Sequence, residues 1–200
     1  MTIYDLKPAF QALLRPSCRA LVGAGVTANQ VTVFAMLVSL LVGGLFALNA
    51  AQPWAALLVP VWLFLRMALN AIDGMMAREH DMQSALGGFL NELTDVVSDA
   101  ALYLPFALVA GLSAELVLAI VFLSLLVEMT GVVAVQVGAS RRYDGPMGKS
   151  DRAFVFGLLG LLVGLGVPLD RWANPALGLV SVLAVWTIIN RIRRALAELG

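Results

Sequence analysis

Acidic and amide side chains recur at helical intervals in two neighbouring apolar stretches of the chain. Asn70 and Asp73 are three residues apart, and Asn91, Asp95 and Asp99 follow one another at intervals of four. Because residues three or four apart share one face of a helix, each stretch presents its polar groups on one side. Carboxylate and amide oxygens suit hard divalent cations such as magnesium, manganese or calcium, and they do not suit zinc or copper. The pattern therefore predicts a cation or ligand site between two helices.

The apolar surroundings make these polar groups costly. A carboxylate at bilayer depth costs about 2.5–3.5 kcal/mol even on lenient scales, so structural packing alone gives no reason to keep several together. The short segment Glu79–Ser84 joins the two helices, and we expect them to pack antiparallel as direct neighbours. The other interpretation is a hydrogen-bonded polar patch in which Asn70 and Asn91 only satisfy adjacent groups. The concentration of acids favours metal or ligand binding.

The composition of the chain places these helices in a membrane. Of 200 residues, 60% are apolar, and 13 basic side chains balance 13 acidic ones. A bilayer-spanning helix needs about 20 mostly apolar residues, which leaves enough for about six spans. One Cys and one His exclude an internal disulfide and a structural zinc site. A net charge of zero gives no attraction to nucleic acid, so we expect no nucleic-acid partner.

We predict an all-α polytopic integral membrane protein that forms a single domain over residues 1–200. Six transmembrane helices make up residues 31–194, at Val31–Ala50, Pro53–Arg78, Ala85–Gly111, Ala114–Ser140, Asp151–Pro168 and Asn174–Arg194. Residues 1–24 are expected to form an interfacial amphipathic helix, which Pro8 and Pro16 split into short pieces. Its apolar face comprises Ile3, Leu6, Phe10, Leu13 and Leu14, and its polar face Lys7, Gln11, Arg15 and Arg19.

Basic residues lie mostly at one end of the predicted spans. They are Lys7, Arg15, Arg19, Arg78, Arg141, Arg142, Lys149, Arg152, Arg191, Arg193 and Arg194. The positive-inside rule then places both termini and the predicted site in the cytoplasm, and a bacterial inner membrane is the expected location. Arg66 lies within a span and is expected to pair with Glu128 or a backbone carbonyl. Gly160 and Gly164 either permit close helix contact or face lipid.

The polar residues belong to a longer motif. It reads Asn70-Ala-Ile-Asp73-Gly74-Met-Met-Ala77-Arg78, followed by Gly87, Asn91 and Asp95. This pattern resembles the signature of the CDP-alcohol phosphotransferase (CDP-alcohol phosphatidyltransferase) family, with Asn at the first and third acidic positions. The match extends over 26 residues without a gap. Six spans, an amino-terminal interfacial helix and cytoplasmic termini also resemble that family.

The resemblance implies transfer of a phosphatidyl group from a CDP-linked lipid, commonly CDP-diacylglycerol, to a polar alcohol, with release of CMP in phospholipid biosynthesis. It implies one or two Mg²⁺ or Mn²⁺ ions at Asn70, Asp73, Asn91 and Asp95, and a homodimer. Asp95 occupies the position of the general base. The positions that hold the cytidine diphosphate are those of Asp73, Gly74, Ala77, Arg78 and Gly87.

Two departures from the signature leave several outcomes open. Asn70 and Asn91 replace aspartates, so the metal site lacks two formal negative charges, although amide oxygens still ligate hard cations. The protein could bind one metal, recruit Glu92 or Asp99 as substitute ligands, or have lost transferase activity. The alternative function is a non-catalytic membrane protein that binds a CDP-lipid or a divalent cation for transport or regulation. The costly acids that remain in register favour an active enzyme.

The acceptor side is expected near the loop before the fifth predicted span. Lys149 lies among small residues whose backbone N–H groups could face a phosphate, and it is the first candidate for acceptor binding. Arg152 and Arg191 are expected to assist it. The alternative is that these charges only set the topology beside anionic lipid headgroups. The acceptor alcohol itself is not identified by this pattern.

Overall fold

Seven α-helices and one short 3-10 helix form the regular structure in a computed structural model, which describes the backbone of residues 3–200 and the side chains from residue 9 onward. The helices are α1 (Ile3–Gly23), α2 (Ala28–Leu48), α3 (Pro53–Glu79), α4 (Ala85–Tyr103), α5 (Ala114–Gln136), α6 (Lys149–Gly164) and α7 (Ala173–Leu199). The 3-10 helix, Leu104–Leu108, continues directly from α4. The part of the chain that the structure describes contains no strand, so the all-α prediction is confirmed.

Within residues 3–200, four helices are long and apolar enough to cross a membrane, namely α2, α3, α5 and α7. The two other predicted spans correspond to shorter or more polar helices, because α6 has 16 residues and α4 carries three acids within 19 residues. The predicted third span reached Gly111, but α4 ends at Tyr103 because Pro105 cannot donate a backbone hydrogen bond. The predicted fourth span reached Ser140, but α5 ends earlier, before Gly138 with φ of 99°.

The first helix is continuous, so the predicted break at Pro8 and Pro16 is wrong. An interior proline removes one helical hydrogen bond and costs about 3 kcal/mol in an isolated helix. Packing of α1 on α3 offsets this cost, because Cys18 is fully buried in an apolar cluster between them. Arg15 also donates to Glu79 over 2.8 Å. The side chains of Ile3, Leu6 and Lys7, which belong to the predicted faces, lie outside the described residues.

Polar side chains define where the site-bearing helices begin. Thr27 and Gln30 form a capping box at the start of α2, in which each side chain accepts from the backbone N–H of the other. Ser84 accepts from the N–H of Gly87 over 3.0 Å at the start of α4. Such caps contribute about 1 kcal/mol each and set the register of the turn that follows. They therefore orient the polar faces of both helices.

Helix α2 packs along both α3 and α4 and keeps the two apart. Gly43 allows the close approach of α2 to α4, because a Cβ there would collide with the carbonyl oxygen of Ala101. The backbones of α3 and α4 make little direct contact, so the close packing predicted for them is not found, but their polar side chains meet as expected, since Arg66 of α3 bonds Asp95 and Asp99 of α4. A polar gap therefore remains between α3 and α4, and only side chains cross it.

The other packed pairs are α3 with α6 and α5 with α7. Gly160 faces α3, where a Cβ would lie 2.9 Å from the carbonyl oxygen of Ala56. Of the two interpretations of the α6 glycines, close helix contact is therefore the correct one. Tyr103 stacks on Phe156 with ring centroids 4.1 Å apart, which joins the end of α4 to α6. The loop before α6 reaches α7, because the N–H of Met147 donates to Thr187 Oγ1 over 2.9 Å.

Candidate active site

Arg66 bridges the polar gap between α3 and α4. Its Nη2 donates to Asp95 Oδ1 and to the Asp95 carbonyl oxygen, each over 3.1 Å, and its Nη1 donates to Asp99 Oδ1 over 2.6 Å. Asn70, one turn along α3, places Nδ2 3.5 Å from the same Asp95 Oδ1. The expected backbone carbonyl partner of Arg66 is therefore present, whereas the expected partner Glu128 is replaced by Asp95 and Asp99. The reason is that α4, rather than α5, lies opposite Arg66.

Asp73 lies on the α3 side of the gap and is nearly buried. Thr32 of α2 donates its hydroxyl to Asp73 Oδ2 over 2.8 Å. The carboxylate is close enough to Asp95 and Lys149 for their charges to act on it. No basic side chain from the described part of the chain forms an ion pair with it. Asp73 is thus a carboxylate held in place by a neutral donor.

Lys149 brings the predicted acceptor side to the predicted base. It is the first residue of α6, and its Nζ lies 2.5 Å from Asp95 Oδ2. A lysine at a helix N-terminus is unfavourable beside the positive end of the helix dipole. Asp95 and Asp151 offset this, the latter by accepting from the N–H of Gly148 over 2.9 Å. Asp95 therefore has a cation on each carboxylate oxygen, Arg66 on one and Lys149 on the other.

Glu128 of α5 is surrounded by three arginines. Its carboxylate lies 3.0 Å from Arg152, 3.3 Å from Arg141 and 3.7 Å from Arg191. Arg152 and Arg191 are each only 1% exposed, and Arg152 also pairs with Asp99 over 3.2 Å. Buried charges of this kind are stable only when they are paired and hydrogen-bonded. The two arginines expected to assist acceptor binding therefore lie below the surface and are engaged with carboxylates.

Glu92 and Asp99, which were expected as substitute metal ligands, are also paired with arginines. Arg141 grips Glu92 with two nearly parallel bonds, Nε to Oε1 over 3.1 Å and Nη2 to Oε2 over 2.7 Å. Gly131 of α5 makes room for this guanidinium, because a Cβ at that position would collide with Arg141 Nη1. Asp99 accepts from Arg66 and Arg152. In this geometry neither acid offers a free carboxylate to a cation.

The remaining signature residues lie in the last two turns of α3 and the first two turns of α4. Arg78 is exposed and folds back over Gly74, where a Cβ would lie 3.1 Å from Arg78 Nη2. Gly87 faces Asn29 of α2, and a Cβ there would lie 2.8 Å from Asn29 Oδ1. Asn91 is exposed. Half-buried Ala77 completes this surface, on which two glycines permit close approach.

A cavity of about 530 Å³ opens between α3 and α6 beside this gap. Its polar end is formed by Arg66, Asn70 and Lys149, and its apolar length includes Leu63, Phe64, Met67, Phe154, Leu158 and Leu161. A second apolar cavity of about 490 Å³ shares Pro60, Phe64 and Leu161 with it. Together they form an apolar groove with one charged end. This shape fits an amphipathic ligand with a polar head and a hydrocarbon tail.

Comparison with known proteins assigns this geometry to a family. The CDP-alcohol phosphatidyltransferase family model matches residues 25–190, which include the whole signature and both sides of the gap. The chain belongs to the CDP-alcohol phosphatidyltransferase family. The resemblance found from the motif is therefore confirmed.

Two relatives match nearly the whole of this CDP-alcohol phosphatidyltransferase. Inner membrane protein YnbA of Escherichia coli (strain K12) is 49% identical over 196 residues, covering 98% of this chain and 97% of the relative. Phosphatidylinositol phosphate synthase of Corynebacterium glutamicum is 26% identical over 196 residues, covering 95% of this chain and 86% of the relative.

Crystal structures of Mycobacterium tuberculosis phosphatidylinositol phosphate synthase share the fold. The structure with CDP-DAG bound has a TM-score of 0.75 at 18% identity and covers 92% of this chain and 94% of that one. The structure in complex with manganese and citrate has a TM-score of 0.77 at 21% identity and covers 94% and 90%. At these identities the likeness shows a common architecture.

The residues present include oxygen donors that fit a divalent cation. Asp73 and the amides of Asn70 and Asn91 offer the oxygen donors that a hard cation takes, and the described residues give Asp73 no cationic partner. Asp95 differs, because a second ion at its Oδ2 would have to displace the ammonium of Lys149. Within the described ranges, no three His, Cys, Asp or Glu side chains converge as a metal site, so any site here depends on the amides.

Three contributors to this site were missed or misassigned from the sequence. Glu128 forms ion pairs with arginines of the site, Arg66 donates to the predicted base Asp95, and Thr32 donates to Asp73. Glu128 could have been identified as a candidate site residue in the same way as Arg66. Both lie in long apolar helices, where a charged side chain is costly. Thr32 carries no such signal, since a hydroxyl in a helix commonly bonds a backbone carbonyl one turn back, and Thr32 also does this.

Proposed function

We propose that the apolar groove with its charged end binds CDP-diacylglycerol, so that this CDP-alcohol phosphatidyltransferase transfers a phosphatidyl group to a polar alcohol and releases CMP. The observation that carries the proposal is the continuity of the groove between α3 and α6 with the polar gap at Asn70 and Lys149. The Mycobacterium tuberculosis neighbour, which has CDP-DAG bound, supports the same donor.

The acyl chains of the donor would lie in the apolar groove, and its cytidine diphosphate would lie on the polar surface beside it. Burying hydrocarbon contributes about 0.8 kcal/mol per methylene, so an acyl chain in the groove anchors the lipid without a specific polar contact. The cytidine diphosphate would lie across the signature surface formed by Asp73, Gly74, Ala77, Arg78 and Gly87. Exposed Arg78 is placed to donate to a phosphate oxygen, and guanidinium groups bind phosphate with directed bonds.

Asp95 would act as the general base. The acceptor oxygen attacks the lipid-side phosphorus, its proton passes to Asp95, and the bond to CMP breaks, so that CMP leaves with the electron pair. Arg66 holds one oxygen of Asp95, which leaves the oxygen now facing Lys149 to receive the proton. Lys149 must therefore shift towards the acceptor or the leaving phosphate during the reaction.

A divalent cation, Mg²⁺ or Mn²⁺, would be held by Asp73 with the amide oxygens of Asn70 and Asn91. When bound, it would supply positive charge against the diphosphate oxygens. Thr32 contributes by fixing Asp73 Oδ2 and so the direction of the other carboxylate oxygen. The manganese complex of the structural neighbour supports a divalent ion in this fold.

We further propose that α4 and α6 complete six spans with α1 at the interface. Their outward faces carry exposed apolar side chains, with Phe89 and Phe154 each 70% exposed. Large exposed apolar surfaces of this kind are suited to lipid contact. The basic residues near α1, Lys149 and α7 support a cytoplasmic site and cytoplasmic termini in a bacterial inner membrane. A homodimer is also proposed, from the family resemblance.

The experiment is an assay of CMP release by the purified chain in lipid nanodiscs. Radiolabelled CDP-diacylglycerol is supplied with a pool of polar alcohols, with and without Mg²⁺ or Mn²⁺. We expect CMP release only when both a divalent cation and an alcohol are present. Absence of CMP release under every condition, with CDP-diacylglycerol still bound, would favour the alternative of a non-catalytic CDP-lipid binder, to which the Lys149–Asp95 pair and the two asparagines lend support.

A further inference from the structure

The basic side chains on the acceptor side are already neutralised within the protein. We define the acceptor-side cluster as the basic residues Arg66, Arg141, Lys149, Arg152 and Arg191 with the acidic residues Glu92, Asp95, Asp99 and Glu128. Every basic member forms at least one ion pair with an acidic member. Asp73 lies within electrostatic range of this cluster but forms no ion pair with its basic members.

The arginines of the cluster cannot easily exchange these partners for a ligand. Arg191 is 1% exposed and donates to the backbone oxygens of Val127 over 2.5 Å and Asp144 over 3.2 Å. Arg152 donates to the Met147 carbonyl over 3.3 Å as well as to two carboxylates. Drawing either arginine towards a phosphate would break its buried hydrogen bonds to backbone carbonyls and remove one of the ion pairs of Glu128, and both losses cost free energy.

The space beside buried Arg152 is also too small for a phosphate. The cavity lined by Asp99, Tyr103, Glu128 and Arg152 measures about 10 Å³. Such a volume holds about one water molecule. Phosphate, with four oxygens around phosphorus, does not fit there. An acceptor must therefore bind on the outer side of the cluster, where Lys149 is 32% exposed.

Lys149 offers little charge for an anionic acceptor, because its ammonium lies 2.5 Å from Asp95 Oδ2. A phosphomonoester carries a charge of about −1.5 to −2 at neutral pH. Such an acceptor would have to compete with Asp95 for Lys149 while it approaches the diphosphate of the donor. An alcohol without a phosphate needs only hydrogen bonds from Lys149 and to Asp95.

We infer that the acceptor of this enzyme is a polar alcohol that carries no phosphate group, such as an uncharged polyol or a zwitterionic amino alcohol. The inference rests on the proposed function. It distinguishes this chain from its Corynebacterium glutamicum relative, whose name is phosphatidylinositol phosphate synthase. The discriminating feature is the carboxylate partner that each cation of the cluster already has.

The test uses acceptors in matched pairs with the full chain in nanodiscs, CDP-diacylglycerol and Mn²⁺. The pairs are glycerol with glycerol 3-phosphate and inositol with inositol 1-phosphate, in which both members keep a free hydroxyl, and serine is supplied by itself to cover amino alcohols. We expect kcat/KM for CMP release to be at least ten-fold higher for the unphosphorylated member of the pair that reacts. A preference for the phosphorylated member would overturn this inference and leave the proposed function intact. CMP release with no acceptor would overturn both.

A binding measurement with inorganic phosphate provides a second readout. The melting temperature of the wild-type chain should show no saturable rise as phosphate is added. The reference is a chloride buffer of equal ionic strength that contains no sulfate. Glu128→Gln removes the shared partner of three arginines, and we expect it to gain a saturable phosphate-dependent rise. Glu92→Gln, at a more exposed position, should gain a smaller rise through Arg141 if the first variant does not fold.

The matched control is Glu115→Gln, which removes an exposed acid at the opposite end of α5. It should behave like the wild type in phosphate. A saturable phosphate-dependent rise in the wild type would overturn the inference, because the cluster would then hold cations available to an anion. Failure of both cluster variants to gain phosphate binding would also overturn it. In that case the pairing of the basic side chains with carboxylates would not explain why phosphate is excluded.

Discussion

The carboxylates of Asp73 and Asp95 belong to one signature, but they lie in opposite electrostatic surroundings. Asp73 accepts a hydrogen bond from the hydroxyl of Thr32, and no basic side chain among the described residues forms an ion pair with it. Asp95 is held between Arg66 and Lys149, with one cation on each oxygen. The negative charge of Asp73 is therefore available to an external cation. The negative charge of Asp95 is already balanced by basic side chains of the protein.

We propose that this difference lowers the number of metal ions that the site needs while its signature is kept. Two asparagines lower the negative charge around Asp73, and a lysine takes the position beside Asp95 that a second ion would need. Both changes act in the same direction, because each reduces the demand for external positive charge. The comparison therefore predicts that variants on the two sides of the gap affect different observables.

Asp95→Asn should have the largest effect. An amide cannot accept the proton of the attacking alcohol, so we expect kcat for CMP release to fall by about 10²–10⁴-fold. Binding of CDP-diacylglycerol, measured by equilibrium binding in nanodiscs, should change little. Asp170→Asn, at an exposed loop position far along the chain, is the control and should retain wild-type turnover. Full activity of Asp95→Asn would refute its role as the base.

Restoring both aspartates, Asn70→Asp and Asn91→Asp, should have the next largest effect. Carboxylates bind hard cations more tightly than amides because they add charge, so Mn²⁺ affinity should rise by at least about ten-fold. Electron paramagnetic resonance of free Mn²⁺ measures this directly, without turnover. Asp81→Asn, in the exposed loop after α3, serves as a charge-change control. Unchanged affinity would show that positions 70 and 91 are not ligands.

Lys149→Gln should separate the two sides of the comparison. The substitution leaves Asp95 Oδ2 without its cation, so a second Mn²⁺ should bind and the stoichiometry should rise from one to two. KM for the acceptor should also rise several-fold, because one hydrogen-bond donor to it is weakened. Equilibrium dialysis gives the stoichiometry, and Arg193→Gln, at an exposed position on α7, is the control. A stoichiometry of two in the wild type would contradict the comparison.

Asp144→Asn should have the smallest effect. Asp144 lies in the loop between α5 and α6, which connects the acceptor-side cluster to α7 through hydrogen bonds from Arg191 and Arg194. Burial opposes ionisation of Asp144, but the hydrogen bond from Arg142 and the charges of Arg142 and Arg194 hold its pKa below the ordinary value. Its stabilisation is therefore present above the unfolded-state pKa and is lost as pH falls through the lower folded-state pKa.

The loss in Asp144→Asn should lower Tm by about 1–3 °C at pH 7, as expected for a partly exposed ion pair. The difference from wild type should vanish in strong acid, where the wild-type carboxyl is protonated too. Differential scanning calorimetry against pH measures both. A constant difference at every pH would indicate that Asp144 contributes through packing and not through charge.

Several elements of the fold could be predicted because they depend on local properties. Apolar runs of sufficient length located α2, α3, α5 and α7, and the cost of acids in such runs drew attention to Asp73 and Asp95. Helix ends were less predictable. Pro16 is an exposed residue of a continuous helix, and the contacts that hold this helix come from Cys18 and its packing on α3, far along the chain.

Composition and spacing by themselves determined that this is a helical membrane protein, since hydropathy and helical period are properties of short segments. The family was indicated by the resemblance of a gap-free motif to a known signature, and the family model confirmed it. Only the tertiary structure decided that α2 separates α3 from α4, that a groove opens beside α6, and that Arg66 and Lys149 meet Asp95. The physical reason is that a charge in an apolar helix must find a partner, but which partner it finds depends on how helices distant in sequence pack around it.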